Sequence, residues 1–206
     1  MKKTFLRMTL ILATLSIVIG ATGAVFAQET PESAAKAYFA AMQASDWAKL
    51  AGLMHPDALA SIKRMFTTAI KADQTGDAAK TIFKLKSAEE YSQLSDAAVF
   101  ERLMDFITSV EPDMKKVLSS STNAILGKVD ESPDLAHVVF RSRSKVEGDE
   151  VNEVDLLSFK KQGSTWRALL TSDLEAILSQ LADEVAPPQK EEQNTPPGAG
   201  RPTRKP

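Results

Sequence analysis

The chain has 206 residues, 43% of them apolar and 25% charged, with no cysteine and a formal net charge of -2. That is the size and composition of one globular domain rather than two. The absence of cysteine excludes a disulfide scaffold, thiolate metal sites, a thiol nucleophile and lipid attachment through cysteine. Two histidines leave little for a histidine-rich metal centre, and the acidic balance argues against a nucleic-acid partner.

Both ends differ in composition from the middle. Lys2, Lys3 and Arg7 form a basic start, residues 8–19 are apolar apart from Thr and Ser, and Val25 and Ala27 occupy the positions a signal peptidase reads. The pattern predicts an export signal over residues 1–27, cleaved to leave Gln28 first, and hence a periplasmic or extracellular protein. The competing reading is an uncleaved anchor over residues 10–27. Gly20 and Gly23 ahead of a small-residue exit favour cleavage, after which no stable membrane insertion is expected. Residues 186–206 hold six of the ten prolines and no large apolar side chain, so they are expected to be disordered. Their net charge is +2, whereas residues 28–185, with 18 basic and 25 acidic side chains, carry -7. The tail reads as a solvated end, with contact to an anionic envelope polymer as the alternative.

The remaining residues 28–185 are expected to form a single domain that begins helically. Thr30-Pro31-Glu32 is a helix start, and Ala35, Tyr38, Phe39 and Met42 follow at helical spacing. Ser45-Asp46 interrupts, and Trp47, Leu50, Leu53 and Met54 mark a second helix. A third begins near Pro56, with Leu59, Ile62, Met65, Phe66 and Ile70 on one face and Gln74 to Asp77 as its end. Ser87 with Glu90 reads as a capping box, and Ser95 as the cap of a longer helix with Val99, Leu103, Phe106, Ile107 and Val110 as its buried stripe. Pro112 opens a short turn of helix to Leu118. Residues 78–86 fit either helix or strand.

From Thr122 the period changes to two. Strands are predicted over residues 122–130, 135–147, 150–161 and 165–171, parted by turn signals at 131–133, Gly148-Asp149 and Gln162-Gly163. With Gly148-Asp149 as a two-residue turn, Phe140 opposes Leu157, Val138 opposes Phe159, and Val146 opposes Val151. With Gln162-Gly163 as the next, Phe159 opposes Trp166 and Leu157 opposes Ala168. Both turns select one apolar face. The other carries Arg141, Arg143, Lys145, Asn152, Lys160 and Arg167 and reads as mostly solvated, with His137 on it. Ser172 with Glu175 then caps a closing helix bearing Leu174, Ile177, Leu178 and Leu181. The order predicts an α+β domain: N-terminal helices packed on a curved four-stranded antiparallel meander, plus a C-terminal helix.

Tyr38-Phe39, Ser45-Asp46-Trp47, Leu50, Leu53 and Pro56-Asp57-Ala58 resemble the opening of the nuclear transport factor 2-like superfamily, which includes ketosteroid isomerase-like and polyketide cyclase-like proteins. The resemblance covers residues 32–58 by motif and 122–171 by pattern. It implies a cone-shaped sheet wrapped around the first helices, with a cavity at the wider end. Two functions are compatible with it: an exported non-catalytic domain that binds a small apolar ligand or an envelope protein, or an isomerase, dehydratase or cyclase. The helical run after Asp57 departs from the family, where a hairpin often follows.

An isomerase-like site needs a carboxylate base in an apolar cavity and a hydrogen-bond donor. On the register above, Asp155 faces Ser142 and Glu153 faces Ser144, on the side of Phe140 and Leu157; these acids are the candidate bases, and Tyr38 the candidate donor. Phe140, Leu157, Phe159 and Trp166 are the candidate ligand-binding residues. The competing reading leaves both acids in water beyond the helical cover. His55-Pro56-Asp57 resembles the J-domain tripeptide, but the flanking basic helix is absent, so a helix junction with Asp57 as cap is expected. Arg141, Arg143 and Lys145 form a basic stripe, read as solvated. No metal site or cofactor is indicated: there is no His/Asp ligand spacing, Gly-rich phosphate loop or Gly-x-Ser-x-Gly elbow.

Overall fold

The computed structural model describes residues 29–146 and 149–185; the predicted export signal and the proline-rich tail lie outside the described residues. Eight helices and four strands follow in the order α1 (Pro31–Gln43), α2 (Trp47–Leu53), α3 (Pro56–Ala72), α4 (Asp77–Phe83), α5 (Ala88–Gln93), α6 (Asp96–Val110), α7 (Pro112–Ser120), β1 (Thr122–Ser132), β2 (Leu135–Val146), β3 (Asp149–Gln162), β4 (Thr165–Ala168) and α8 (Ser172–Val185). The class is α+β, with one antiparallel sheet in meander order β1-β2-β3-β4.

Local side-chain chemistry sets the helix starts. Thr30 and Ser33 form a reciprocal capping box, the Ser33 N–H donating to Thr30 Oγ1 at 3.1 Å and the Thr30 N–H donating to Ser33 Oγ at 2.9 Å. Ser45 lies in the left-handed region at φ 51°, which turns the chain out of α1, and Asp46 then accepts from the Lys49 N–H. The cap of α3 is His55 rather than the expected Asp57: its Nδ1 accepts from the Asp57 N–H at 3.2 Å, and the Asp57 carboxylate instead meets Lys160 Nζ at 3.1 Å. At α8 the cap is Thr171, whose Oγ1 accepts from the Leu174 N–H, so the expected Ser172–Glu175 box does not form. The undecided stretch becomes α4, and Ser87 and Ser95 cap α5 and α6 as the spacing predicts. Glu90 completes no box, because its carboxylate accepts from the Lys86 N–H. Val110, expected in the buried stripe of α6, is 53% exposed at the helix end.

The strands fall close to the predicted ranges, but each hairpin register is displaced by two residues. Val146 pairs with Asp149, so Phe140 sits opposite Asp155, Val138 opposite Leu157, and Ala136 opposite Phe159. Gln162 pairs with Thr165 across a turn in which Gly163 takes φ 65°, so Phe159 faces Ala168 and Trp166 faces Lys161. A two-residue displacement preserves the side each residue points to, and the apolar face therefore stays intact. Asp155 and Glu153 stand beside Phe140 and Ser142, not beside Ser142 and Ser144 as the turn positions implied. In β1 the register shifts twice, between Ile125 and Gly127 and between Asp130 and Ser132. Bulges of this kind bend a strand and raise its local twist.

The helix α1 packs on the inner face of the sheet, against β1, β2 and β4, and α7 packs on β2. A second helical layer places α6 against α2, α3 and α4, while α8 packs across α3. Met54 bridges Ala168 in parallel and the His55 N–H donates to the Ala168 carbonyl at 2.7 Å, which covers the free edge of β4. The deepest layer is Phe66, Phe83, Phe100, Phe159, Ile62 and Leu103, all almost completely buried. The outer face of the sheet is less polar than expected: Val129, Val154 and Leu156 are each more than half exposed on it.

These faces give contrasting stability predictions. Phe159→Ala, at a fully buried inner position, is expected to cost about 3–5 kcal/mol in denaturant unfolding, and Leu156→Ala, on the outer face, under about 1 kcal/mol. Similar losses for the two variants would reject the assignment of faces.

Candidate functional site

The inner face of the sheet can be followed in rows. Ala136, Phe159 and Ala168 form a completely buried first row, and Val138 with Leu157 the second. Next come Phe140 and Asp155 beside Ile125, then Ser142 and Glu153 beside Asn123. Because β4 stops at Ala168, it pairs only with the Phe159–Gln162 end of β3. The last two rows therefore lie beyond the end of β4.

There the structure opens into a cavity of about 370 Å³. Its walls are Tyr38, Phe39 and Met42 of α1, Trp47 and Leu50 of α2, Phe100 and Met104 of α6, and Met114 and Leu118 of α7. The sheet supplies Phe140, Leu157, Asn123, Ser142, Glu153 and Asp155, and Thr171, Asp173, Leu174 and Ile177 line it from the start of α8. The volume is in the ~300–1,000 Å³ range of small-molecule sites, and an apolar wall with a few polar groups is their usual make-up. Two other hollows, of about 470 and 510 Å³, are lined mainly by polar side chains at the β2–β3 end and beside the first turn of α8.

Phe39 and Phe140 lock α1 to the sheet at one side of the cavity, with ring centroids 4.7 Å apart. Tyr38 packs edge-on to Phe39 and is only 8% exposed. Burial pushes its phenol up to about 12, so the hydroxyl is protonated at neutral pH, and among the described residues nothing hydrogen-bonds to it. The Asn123 side-chain nitrogen is buried without a hydrogen-bond partner among the described residues. Asp155 Oδ1 accepts from the Leu156 N–H at 2.7 Å, and Asp155, Glu153 and Asp173 are all exposed.

Of the residues singled out from sequence, Tyr38, Phe140, Glu153, Asp155 and Leu157 line this one cavity, and Phe159 and Trp166 do not. Phe159 lies two rows deeper than Phe140, and Trp166 is buried under the Lys161 ammonium, 5.1 Å from its ring centroid. Asn123, Ser142 and Asp173 are cavity residues that sequence reasoning did not propose. Asn123 shares a face with Ile125 by simple alternation, which is a legible signal; nothing local to residue 173 carries one.

A second constellation was also not anticipated. On the outer face, His137 Nδ1 lies 2.8 Å from Ser158 Oγ, and His137 Nε2 lies 2.7 Å from a Glu131 carboxylate oxygen. Glu131 falls where the β1 register shifts beside β2, which brings it to the imidazole. The order serine–imidazole–carboxylate matches a hydrolytic relay, but a hydrolase also needs donors around a developing oxyanion. None of the cavities described above contains the imidazole.

Among the described residues no group of three or more His, Asp or Glu side chains is placed to hold a metal ion, and no helix is long and apolar enough to cross a membrane. Compared with protein-family models, with curated proteins and with solved structures, the chain finds no match.

Burial of the phenols has a measurable consequence. Tyr38 and Tyr91 are the only two tyrosines, and desolvation pushes both up to about 12 from an unfolded value of 10.0. Folded protein thus holds phenolic protons that the unfolded chain releases, so this contribution is complete below pH 10 and is lost as the pH rises to about 12. Tyrosinate absorbance of the folded chain should stay flat through pH 10, and Tyr38→Phe should lose less stability over the same interval. A phenol titrating near pH 10 in the native protein would reject the buried placement.

Proposed function

We propose that this chain is an exported, non-catalytic binding domain that takes a small apolar ligand into the cavity between α1 and the inner face of the sheet. The observation that carries the reading is the hollow itself: aromatic, methionine and leucine side chains surround a space that the protein leaves unfilled. Kinship with the nuclear transport factor 2-like superfamily is part of the proposal. It is supported by the α1–α2 pair followed by Pro56-Asp57-Ala58 and by the four-strand meander, and the helices α3 to α7 between them, with the extra α8, are where this chain departs from the usual pattern.

Binding without catalysis follows from the acids. A carboxylate that abstracts a proton from carbon needs a water-poor setting and a partner donor within hydrogen-bond reach of the substrate. Asp155 and Glu153 stand open to water, and neither hydrogen-bonds Tyr38. The isomerase, dehydratase or cyclase reading retains one supporting fact, a protonated phenol on the same cavity as two carboxylates.

Ser142→Phe, which places a ring into the cavity from a half-buried strand position, is expected to weaken binding of 1-octanol at least tenfold while leaving the fold intact. Unchanged octanol affinity, or none in the parent chain, would reject the cavity as a binding site. For the export reading, N-terminal sequencing of protein recovered outside the cytoplasm should start at Gln28; recovery of full-length chain in the cytoplasm alone would reject it.

A further inference from the structure

The charge around the cavity selects among apolar ligands. Glu153 and Asp155 project from the inner face of β3, Asp173 comes from the first turn of α8, and among the described residues no lysine, arginine or histidine lines the space. An anionic head group would bring like charge to this rim, a neutral one would gain nothing from it, and a cationic one would be attracted. Among the described residues these acids do not converge closely enough to hold a metal ion. Dispersed negative charge suits a bulky cation whose charge is itself spread over several atoms.

The walls point the same way. Tyr38, Phe39, Trp47 and Phe140 border the cavity, and aromatic faces attract an organic ammonium through their ring quadrupoles, most strongly where water is excluded. The Tyr38 hydroxyl, on a side chain more than nine-tenths buried, has no partner among the described residues. Its O–H is therefore free to donate to a polar group of the occupant or to a water it retains.

We infer that the occupant is an organic cation: an ammonium head at the Glu153–Asp155–Asp173 rim, joined to an apolar body that lies among the rings and methionines. The inference rests on the cavity being the ligand site, and it adds the head-group chemistry. Because the acids are exposed, the head-group preference should weaken as salt is raised, whereas the apolar contribution should not.

Calorimetric titration of the full chain with octyltrimethylammonium, 1-octanol and octanoate, each below its micelle-forming concentration, separates the two claims. Expected is ammonium binding at least tenfold tighter than octanol, with octanoate the weakest. Glu153→Gln combined with Asp173→Asn should bring the ammonium within threefold of octanol and leave octanol unchanged; Asp155→Asn alone should reduce the preference in part. Octanoate binding as tightly as the ammonium would overturn the head-group inference while leaving the cavity reading in place. Failure of all three probes to bind would overturn both.

Discussion

The sheet is longer than the cover that the rest of the chain provides, and the site depends on this mismatch. From Ala136 to Val138 the inner face is sealed by α1, β4 and the bridge from Met54, and its side chains are fully buried. From Phe140 to Ser142 the strands continue but β4 has ended, and the same face turns from Val138 and Leu157 to Ser142, Glu153 and Asp155. The Phe39–Phe140 contact stands at the boundary and holds α1 in place where packing gives way to space. Apolar burial stabilises one half of the face, and the other half opens onto the cavity.

Much of this architecture was legible because it depends on local rules. Thr30, Ser87 and Ser95 are caps whose side-chain oxygens meet backbone N–H groups three residues on, and sequence spacing alone reveals them. Alternation identified the face shared by Phe140, Leu157, Phe159 and Trp166. What alternation cannot do is fix the register, since a slip of two residues returns every side chain to its original side. The glycine in each turn signal was compatible with more than one turn position, so Asp155 was assigned to Ser142 when it stands by Phe140. Pocket residues drawn from distant elements, such as Asp173 and Met114, had no local signature because packing alone brings them together.

The outer face shows the same limit in another form. The basic stripe of Arg141, Arg143 and Lys145 predicts a solvated face, and those residues do lie there, but Val154, opposite Arg141, and Leu156, opposite Val139, are exposed on it as well. The contact of His137 with both Glu131 and Ser158 exists because of a register shift in β1 that no residue type announces. A histidine, a serine and a glutamate spaced by 6 and 21 residues have no recognisable pattern until two strand pairings place them in line.

The most direct test of the central claim uses the methionines, which sample both halves of the domain. Met42, Met104 and Met114 line the cavity, whereas Met54 lies beneath the edge of β4 and Met65 on α3. In methyl-labelled protein, titration with a small apolar ligand should shift the Met42, Met104 and Met114 methyl resonances and leave those of Met54 and Met65 in place. Shifts at Met54 and Met65 with the other three unmoved would contradict the account, because the ligand would then be entering somewhere other than the uncovered end of the sheet.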